Sequence, residues 1–216
     1  QSDKFLTLKI ESVVNRAKSV MLGIAGYGVF LLVSTFILPL LPLLGISVGE
    51  TSFSINSVIE LYAQTQPLLA GNLTLIFLAF GLLIPILETW GIGLILEGLK
   101  DFFKIPLDIK NPRTYVAAGI IAALTVFFHI QVRGIDINAT TALATVFIFF
   151  FINVLIIVIE KQILGAIIMH IIANTVAVSV NKGFPVLSLT SPTSIILIGS
   201  LVVFLTLNRL PKITRS

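Results

Sequence analysis

The sequence predicts an all-α, polytopic integral membrane protein with about six transmembrane helices. Of its 216 residues, 56% are hydrophobic and 11% are charged, and the mean hydropathy is +1.08. Soluble domains carry roughly 25% charged residues, so this chain has too few charges to cover a surface that faces water. The net charge of +4 comes from basic residues in short connections between apolar runs, which indicates membrane topology rather than nucleic-acid binding. We therefore expect the lipid bilayer as a partner and no nucleic acid.

The pattern predicts a single membrane domain over residues 1–216. Residues 1–19 interleave apolar side chains with charges, which predicts an amphipathic helix along the membrane surface. Six apolar stretches follow, of which most reach the roughly 20 residues that cross the hydrocarbon. The last stretch is short, but Pro192 is well placed to begin a helix, and we expect a final span over residues 193–210. The six stretches are Val20–Leu44, Leu73–Leu99, Tyr115–Val132, Ala139–Ile159, Ile163–Val180 and Thr193–Leu207.

Lysine and arginine are divided unevenly between the two sides that six spans would create. Cytoplasmic connections of membrane proteins carry an excess of these residues. Here one side receives only Arg133 and Lys182. The split predicts six spans with both termini in the cytoplasm. We expect a multi-pass protein of the cell membrane. The twelve residues on the other side are Lys4, Lys9, Arg16, Lys18, Lys100, Lys104, Lys110, Arg113, Lys161, Arg209, Lys212 and Arg215.

Ionisable side chains inside the apolar stretches are rare. They are Glu88, Glu97, His129 and His170, and the two histidines are the only ones in the chain. Glu97 lies near Lys100 at the cytoplasmic end of its stretch, where we expect it to remain at the interface. An ionised side chain at the bilayer centre costs roughly 2.5–3.5 kcal/mol even on insertion scales, and such residues usually face a cavity and have a function. The alternative is that the glutamate and the histidines pair only to hold helices together.

The spacing of these residues predicts which of them meet. Antiparallel helices that leave one loop bring residues equally distant from its centre to the same height. Glu88 and His129 are equally distant from the centre of the loop KIPLDIKNPR, residues 104–113, so we expect their side chains to meet. His170 and Asn174, four residues apart, project from one helix face. His170 is about two turns into its stretch and Glu88 some four turns from its loop. Either the second and third helices extend into the cytoplasm or the helices tilt strongly.

The set Glu88, His129, His170 and Asn174 suits the activation of water. A carboxylate in such a site can act as a general base, and a neutral imidazole can orient the same water. A second histidine and an amide N–H can donate hydrogen bonds to the oxyanion that forms when water attacks a peptide carbonyl. The set therefore predicts a peptide-bond hydrolase without a nucleophilic serine or cysteine. We expect no cofactor, although two histidines and a glutamate are also a zinc ligand set, which leaves zinc open.

The order of these residues resembles the CAAX-protease and bacteriocin-processing family of intramembrane glutamate endopeptidases, which includes the CAAX prenyl proteases. That family carries E-E-x-x-x-R, then F-x-x-x-H, then H-x-x-x-N on later helices. Here IPILETWGIG supplies Glu88, TVFFHI supplies His129, and EKQILGAIIMHIIANTVA supplies His170 and Asn174. The resemblance covers residues 72–180, about half of the chain, and its third motif is the most specific.

The chain departs from the family pattern in the first two motifs. Thr89 stands in place of the second glutamate, and Thr125 stands where the second motif has phenylalanine. Neither Ile92 nor Gly93 can serve as the arginine of the first motif. That arginine would be a fixed positive charge near the base, and this chain lacks it.

The resemblance implies that Glu88 and His129 activate water and that His170 and Asn174 stabilise the oxyanion. It implies an endopeptidase for a membrane-associated peptide or a prenylated protein, with residues 72–180 as the catalytic core. Two other functions stay open. A catalytically silent family member would bind and regulate a membrane partner, and a proton-coupled transporter would use Glu88 and the histidines as a relay. The sequence shows no inverted repeat or pair of broken helices, which disfavours the transporter.

Overall fold

The computed structural model describes residues 13–44, 72–133 and 140–181 as helices joined by short connections. No strand occurs within these three ranges. The helices are α1, Val13–Ile37, which two short 3₁₀ turns follow at Leu38–Leu40 and Pro42–Leu44; α2, with consecutive segments Leu73–Ile76, Phe77–Leu83 and Ile84–Phe103; α3, Pro112–Arg133; α4, Thr140–Glu160; and α5, Leu164–Asn181. The middle segment of α2 is a π-helix and the other two are α-helical.

Four of the described helices are long and apolar enough to cross a membrane. Helix α5 is apolar but shorter, with its apolar part over Leu164–Val178. The predicted all-α class is confirmed for the described residues. The count of six spans stays a prediction, because the last stretch, Thr193–Leu207, lies outside them. The four helices of spanning length cover Arg16–Leu40, Thr74–Phe103, Pro112–Gln131 and Thr140–Glu160.

The predicted surface helix over residues 1–19 falls mostly outside the described part of the chain, which begins at Val13. Residues Val13 to Ser19 form the first turns of α1 and continue directly into its membrane-length part. Arg16 and Lys18 are exposed there, whereas Ser19 is buried. A separate amphipathic helix over residues 1–19 therefore stays a prediction.

The connection between α2 and α3 is fixed at both ends by local backbone chemistry. Lys104 adopts the left-handed conformation, with φ at 48°, and ends α2. Asn111 Oδ1 accepts the backbone N–H of Arg113 at 3.0 Å, which is the N-cap arrangement that satisfies a free helix donor. Pro112 occupies the first helical position, where a backbone N–H would have no acceptor within the helix, so its absence costs no hydrogen bond.

Helix α5 packs between α1, α2 and α4, and glycines allow its close contact with α1. A Cβ atom on Gly23 would lie 2.5 Å from the carbonyl oxygen of Gly165, and one on Gly165 would lie 3.0 Å from the carbonyl oxygen of Ser19. Small residues at helix contacts let the backbones of membrane helices approach closely. The backbones of α1 and α5 are therefore in direct contact at this crossing.

The short turn between α4 and α5 is also tied to α1. Glu160 Oε2 accepts the backbone N–H of Gly165 at 2.8 Å, which places a carboxylate at the N-terminus of α5, where the helix dipole favours negative charge. Gln162 Nε2 donates to Glu160 Oε1 at 3.0 Å and to Ser19 Oγ at 2.7 Å. Lys161, with φ at 56°, makes the tight turn possible. The start of α1 and the α4–α5 turn therefore lie at one end of the bundle.

The glycine contact between α1 and α5 predicts a position-specific loss of stability. Gly23→Ala is expected to lower the free energy of unfolding by about 1–3 kcal/mol, the usual cost of overpacking, because the new methyl group would meet the backbone oxygen of Gly165. Reversible unfolding in mixed detergent micelles measures the change.

The matched control is Gly28→Ala, in the same helix, where nothing lies within 4 Å of the added methyl group. This substitution should change the free energy of unfolding by less than about 0.5 kcal/mol, as at ordinary exposed sites. Equal losses from the two substitutions would show that the α1–α5 contact does not determine the effect, because alanine is the better helix former at both positions.

Candidate active site

The carboxylate of Glu88 and the imidazole of His170 are neighbours in the interior of the bundle. Glu88 lies on α2 and His170 on α5, and Glu88 Oε2 is 3.4 Å from His170 Nε2. The His170 side chain is 3% exposed, whereas the Glu88 side chain is 17% exposed. The structure thus brings together two of the four predicted site residues, with the glutamate partly buried and its Oε2 atom fully buried.

Thr89 contacts the other nitrogen of the His170 ring. Its Oγ1 lies 3.1 Å from His170 Nδ1, and Thr89 is completely buried. Glu88 and Thr89 are adjacent in α2, so two consecutive residues of one helix approach the two nitrogens of one imidazole. From the sequence, Thr89 is a departure from the second glutamate of the family motif. In the structure this threonine is part of the site.

His129 belongs to the same cluster through an aromatic ring. It lies on α3, is 4% exposed, and its Nδ1 is 2.8 Å from the carbonyl oxygen of Thr125, one turn earlier. The ring of Phe150, on α4, contacts both histidines, with centroid distances of 5.4 Å to His129 and 5.3 Å to His170. Phe149 adds a second ring contact to His170 at 5.0 Å. The two histidines are therefore enclosed together by phenylalanines of α4.

Asn174 bonds to the backbone of α2 at its π-helical segment. Its Nδ2 donates to the carbonyl oxygen of Phe80 at 2.9 Å. In this segment the backbone N–H of Ile84 bonds to the carbonyl oxygen of Ala79, five residues earlier. The next bond in this register would join residue 85 to Phe80, but residue 85 is Pro85, which has no N–H. The amide of Asn174 therefore supplies the donor that the proline lacks.

This hydrogen bond narrows the predicted role of Asn174. A side-chain amide carries two N–H donors, and one of them serves the Phe80 carbonyl. The oxyanion role implied by the family resemblance therefore rests on the second donor. His170 and Asn174 both contact α2, which agrees with the helix face that their spacing predicts.

The length of α2 accounts for the difference in height between Glu88 and His170. Glu88 lies 15 residues before the end of α2 at Phe103, and His170 lies 6 residues after the start of α5 at Leu164. At 1.5 Å per residue, α2 reaches about 13 Å farther than the start of α5. Its apolar range of 30 residues is about 45 Å long, whereas the hydrocarbon is roughly 30 Å thick. This excess length fits both alternatives, extension of α2 beyond the bilayer and strong tilt of the helix.

Residues 13–44, 72–133 and 140–181 contain no arrangement of side chains that would bind zinc. There, no three histidine, aspartate or glutamate side chains are grouped closely enough to hold a metal ion. Glu88, His129 and His170 therefore do not converge on one metal position. The direct meeting of Glu88 and His129 stays a prediction.

Asn153, a buried amide next to the site, was not among the residues predicted from the sequence. It is completely buried in α4, and its Nδ2 donates to the carbonyl oxygen of Ala166 in α5 at 2.9 Å. An amide in so apolar a stretch was a usable signal, because polar side chains in membrane helices usually bond to a neighbouring helix. Phe150 carried no such signal, since only the packing of α3, α4 and α5 gives it a role.

The bond from Asn174 to Phe80 predicts energetic coupling between Asn174 and Pro85. Asn174→Leu leaves the Phe80 carbonyl without this donor and should lower the free energy of unfolding by about 1–2 kcal/mol. Pro85→Ala restores a backbone N–H, so in that background Asn174→Leu should cost about 1 kcal/mol less. Unfolding of the four proteins in mixed detergent micelles gives the coupling free energy directly.

Asn153→Leu is the matched control for this cycle. Its amide also donates to a backbone carbonyl at 2.9 Å, but that carbonyl lies in α5 and does not depend on Pro85. Coupling between Asn153→Leu and Pro85→Ala should stay below about 0.5 kcal/mol. Additive effects of Asn174→Leu and Pro85→Ala would contradict the proposed substitution of an amide for the missing proline donor.

Comparison with known proteins gives no match to this chain among family models, curated proteins or solved structures. We therefore infer a function from the contacts of Glu88, Thr89, His129, His170 and Asn174 and from the motifs in which these residues occur.

Proposed function

We propose that the protein is an intramembrane endopeptidase that hydrolyses a peptide bond of a membrane-associated substrate with water activated by Glu88. The observation that carries this proposal is the 3.4 Å approach of Glu88 Oε2 to His170 Nε2 between apolar helices. Ionisable side chains at such places are expensive and by default indicate a functional site. The Glu88 side chain is 17% exposed, and its Oε2 atom beside His170 is buried.

The proposed reaction uses the four predicted residues in separate roles. Glu88 takes a proton from water while the water oxygen bonds to the peptide carbonyl carbon, and His129 orients that water. His170 and the second amide N–H of Asn174 donate to the oxyanion. The bond between carbon and nitrogen then breaks, and the proton held by Glu88 passes to the leaving amine.

We propose a six-span topology with both termini in the cytoplasm and a location in the cell membrane. The substrate would be a membrane-associated peptide or a prenylated protein. The division of basic residues supports the topology. The bond between Gln162 and Ser19 adds support, because it brings the start of α1 to the α4–α5 turn. Arg16, Lys18 and Lys161 thus belong to one end of the bundle, as the charge division requires.

A catalytically silent member that regulates a membrane partner is the second candidate. Two observations favour it. Thr89 replaces the second glutamate of the family motif, and one donor of the Asn174 amide is engaged by the Phe80 carbonyl. In this alternative the contact between Glu88 and His170 would serve only to hold α2 against α5.

Removal of the base separates the two candidates. Glu88→Gln keeps the size and hydrogen bonding of the side chain but cannot accept the proton, so hydrolysis should fall by about 10²–10⁴-fold, the usual worth of general-base catalysis. His129→Ala should cost a similar factor, because the water is then left unoriented. The measurement is cleavage of a library of membrane peptides by the purified protein in lipid nanodiscs.

Glu97→Gln is the matched control, since Glu97 is the other glutamate of the α2 stretch and has no role in the proposed reaction. Its cleavage rate should stay within about twofold of the original, as expected for a residue outside the reacting groups. Chelators should leave the rate unchanged, whereas a zinc enzyme would lose activity and regain it with added metal. Cleavage that survives Glu88→Gln would reject the endopeptidase and leave the silent regulator.

Cysteine labelling tests the proposed topology. The chain contains no cysteine, so a single cysteine can be introduced without first replacing native cysteines. Glu50→Cys and Lys110→Cys should react with a membrane-impermeant maleimide from opposite sides of the membrane, because one span separates them. The label should reach Lys110→Cys only after the cytoplasmic side is opened. Reaction of both positions from one side would contradict the six-span arrangement.

A further inference from the structure

The two histidines of the cluster have different hydrogen-bond partners at the same ring nitrogen. A neutral imidazole carries one hydrogen, so one nitrogen donates and the other accepts. The partner of one nitrogen thereby fixes what the other can do. For His129 the partner of Nδ1 is a backbone carbonyl, and for His170 it is a threonine hydroxyl.

The tautomer of His129 follows from the chemistry of its partner. The carbonyl oxygen of Thr125, at 2.8 Å from Nδ1, can only accept a hydrogen bond. Nδ1 of His129 must therefore carry the hydrogen and donate it. In the neutral ring, Nε2 is then left with its lone pair and acts as an acceptor.

The tautomer of His170 follows from the behaviour of the threonines in these helices. Three of them donate their hydroxyl to a carbonyl four residues earlier, at 2.7–2.8 Å: Thr35, Thr125 and Thr145. Thr89 differs, because its hydroxyl is directed at His170 Nδ1 at 3.1 Å. A completely buried hydroxyl hydrogen without an acceptor is costly. Donation to Nδ1 supplies the acceptor, and Nε2 of His170 then carries the ring hydrogen.

We propose that the site holds its two histidines in opposite tautomers, with Thr89 as the positioning residue that makes His170 an Nε2–H donor toward Glu88. His170 Nε2 lies 3.4 Å from the carboxylate oxygen, a close contact longer than a hydrogen bond, so the ring N–H would lie beside the base. The assignment of tautomers depends on hydrogen bonds alone. Its catalytic meaning rests on the proposed endopeptidase function.

Opposite tautomers give the two histidines separate chemical tasks. An N–H donor beside Glu88 can stabilise a developing oxyanion but cannot take a proton from water in that state. An Nε2 acceptor on His129 can hold and orient a water molecule. Thr89 would thus fix His170 as the electrophilic group of the reaction and leave proton acceptance to Glu88.

Nitrogen-15 labelling of histidine tests the tautomers without any assay of activity. The chain has two histidines, so the labelled full-length protein in nanodiscs gives two ring systems, which His129→Gln assigns. Long-range nitrogen–hydrogen correlation spectra at a pH where both rings are neutral distinguish the two tautomers. We expect Nε2–H for His170 and Nδ1–H for His129. The same tautomer in both rings would overturn the proposal.

Variants at Thr89 test its role as the positioning residue. Thr89→Val keeps the shape but removes the hydroxyl, so the His170 spectrum should shift to a mixture of tautomers. Thr89→Ser restores a hydroxyl and should restore the original spectrum. Thr145→Val, which removes a hydroxyl that donates within its own helix, should leave both rings unchanged. A His170 ring that is unaffected by Thr89→Val, or not restored by serine, would reject Thr89 as the cause.

Kinetics then connect the tautomer to the proposed reaction. Thr89→Val should lower kcat by about tenfold with KM nearly unchanged, since a typical hydrogen bond is worth roughly that factor, and Thr89→Ser should recover most of the loss. An unchanged kcat in a protein whose His170 tautomer has shifted would reject the assigned catalytic role. A wild-type protein that cleaves no membrane peptide would reject the proposed function while the spectra still decide the tautomers.

Discussion

Keeping a carboxylate between apolar helices is the constraint on which the arrangement of the described residues depends. An ionised acid at the centre of a bilayer costs roughly 2.5–3.5 kcal/mol on insertion scales. Glu88 meets this cost with partial exposure and with the imidazole of His170 at 3.4 Å. The imidazole is itself buried, so Thr89 and the rings of Phe149 and Phe150 enclose it. The carboxylate thus depends on the imidazole of His170, and the imidazole depends on Thr89 and the two phenylalanine rings.

The contact between α2 and α5 depends on an irregular backbone. Pro85 cannot donate to the helix, and the preceding turns of α2 adopt the π-helical form. The Phe80 carbonyl in this segment accepts a hydrogen bond from a side chain of another helix, the amide of Asn174. Gly81 lies at the same crossing, where an added Cβ would approach Thr175 Oγ1 to 3.2 Å. The irregular segment of α2 thus forms a specific hydrogen bond with α5. Neighbouring helices often satisfy backbone groups near a proline in this way.

The sequence predicted the helices well and their side-chain partners less well. Length and apolarity determine where a membrane helix begins and ends. The described helices start within a few residues of the predicted stretches, except that the described part of α1 begins seven residues before Val20. That Glu88 and His170 belong to one site was expected, but the spacing assigned His129 as the residue that meets Glu88, and that meeting stays a prediction. The hydroxyl of Thr89 and the ring of Phe150 could not be assigned roles, because residues far apart in sequence meet only through the crossing of α2, α4 and α5. The difference in height between His170 and Glu88 could be explained only once the length of α2 was known.

The capped turn between α4 and α5 bears on how the site enters the bilayer during synthesis. Helix α4 is the most apolar of the spanning helices, whereas α5 is short and carries His170 and Asn174. The residues between the two helices form a tight turn, and Glu160 already satisfies a backbone donor of α5 there. A hairpin of this kind can partition into lipid as one unit, in which the hydrophobicity of α4 compensates for the polar groups of α5. The face of α5 that carries His170 and Asn174 would then reach the membrane interior without having to be recognised as a span by itself.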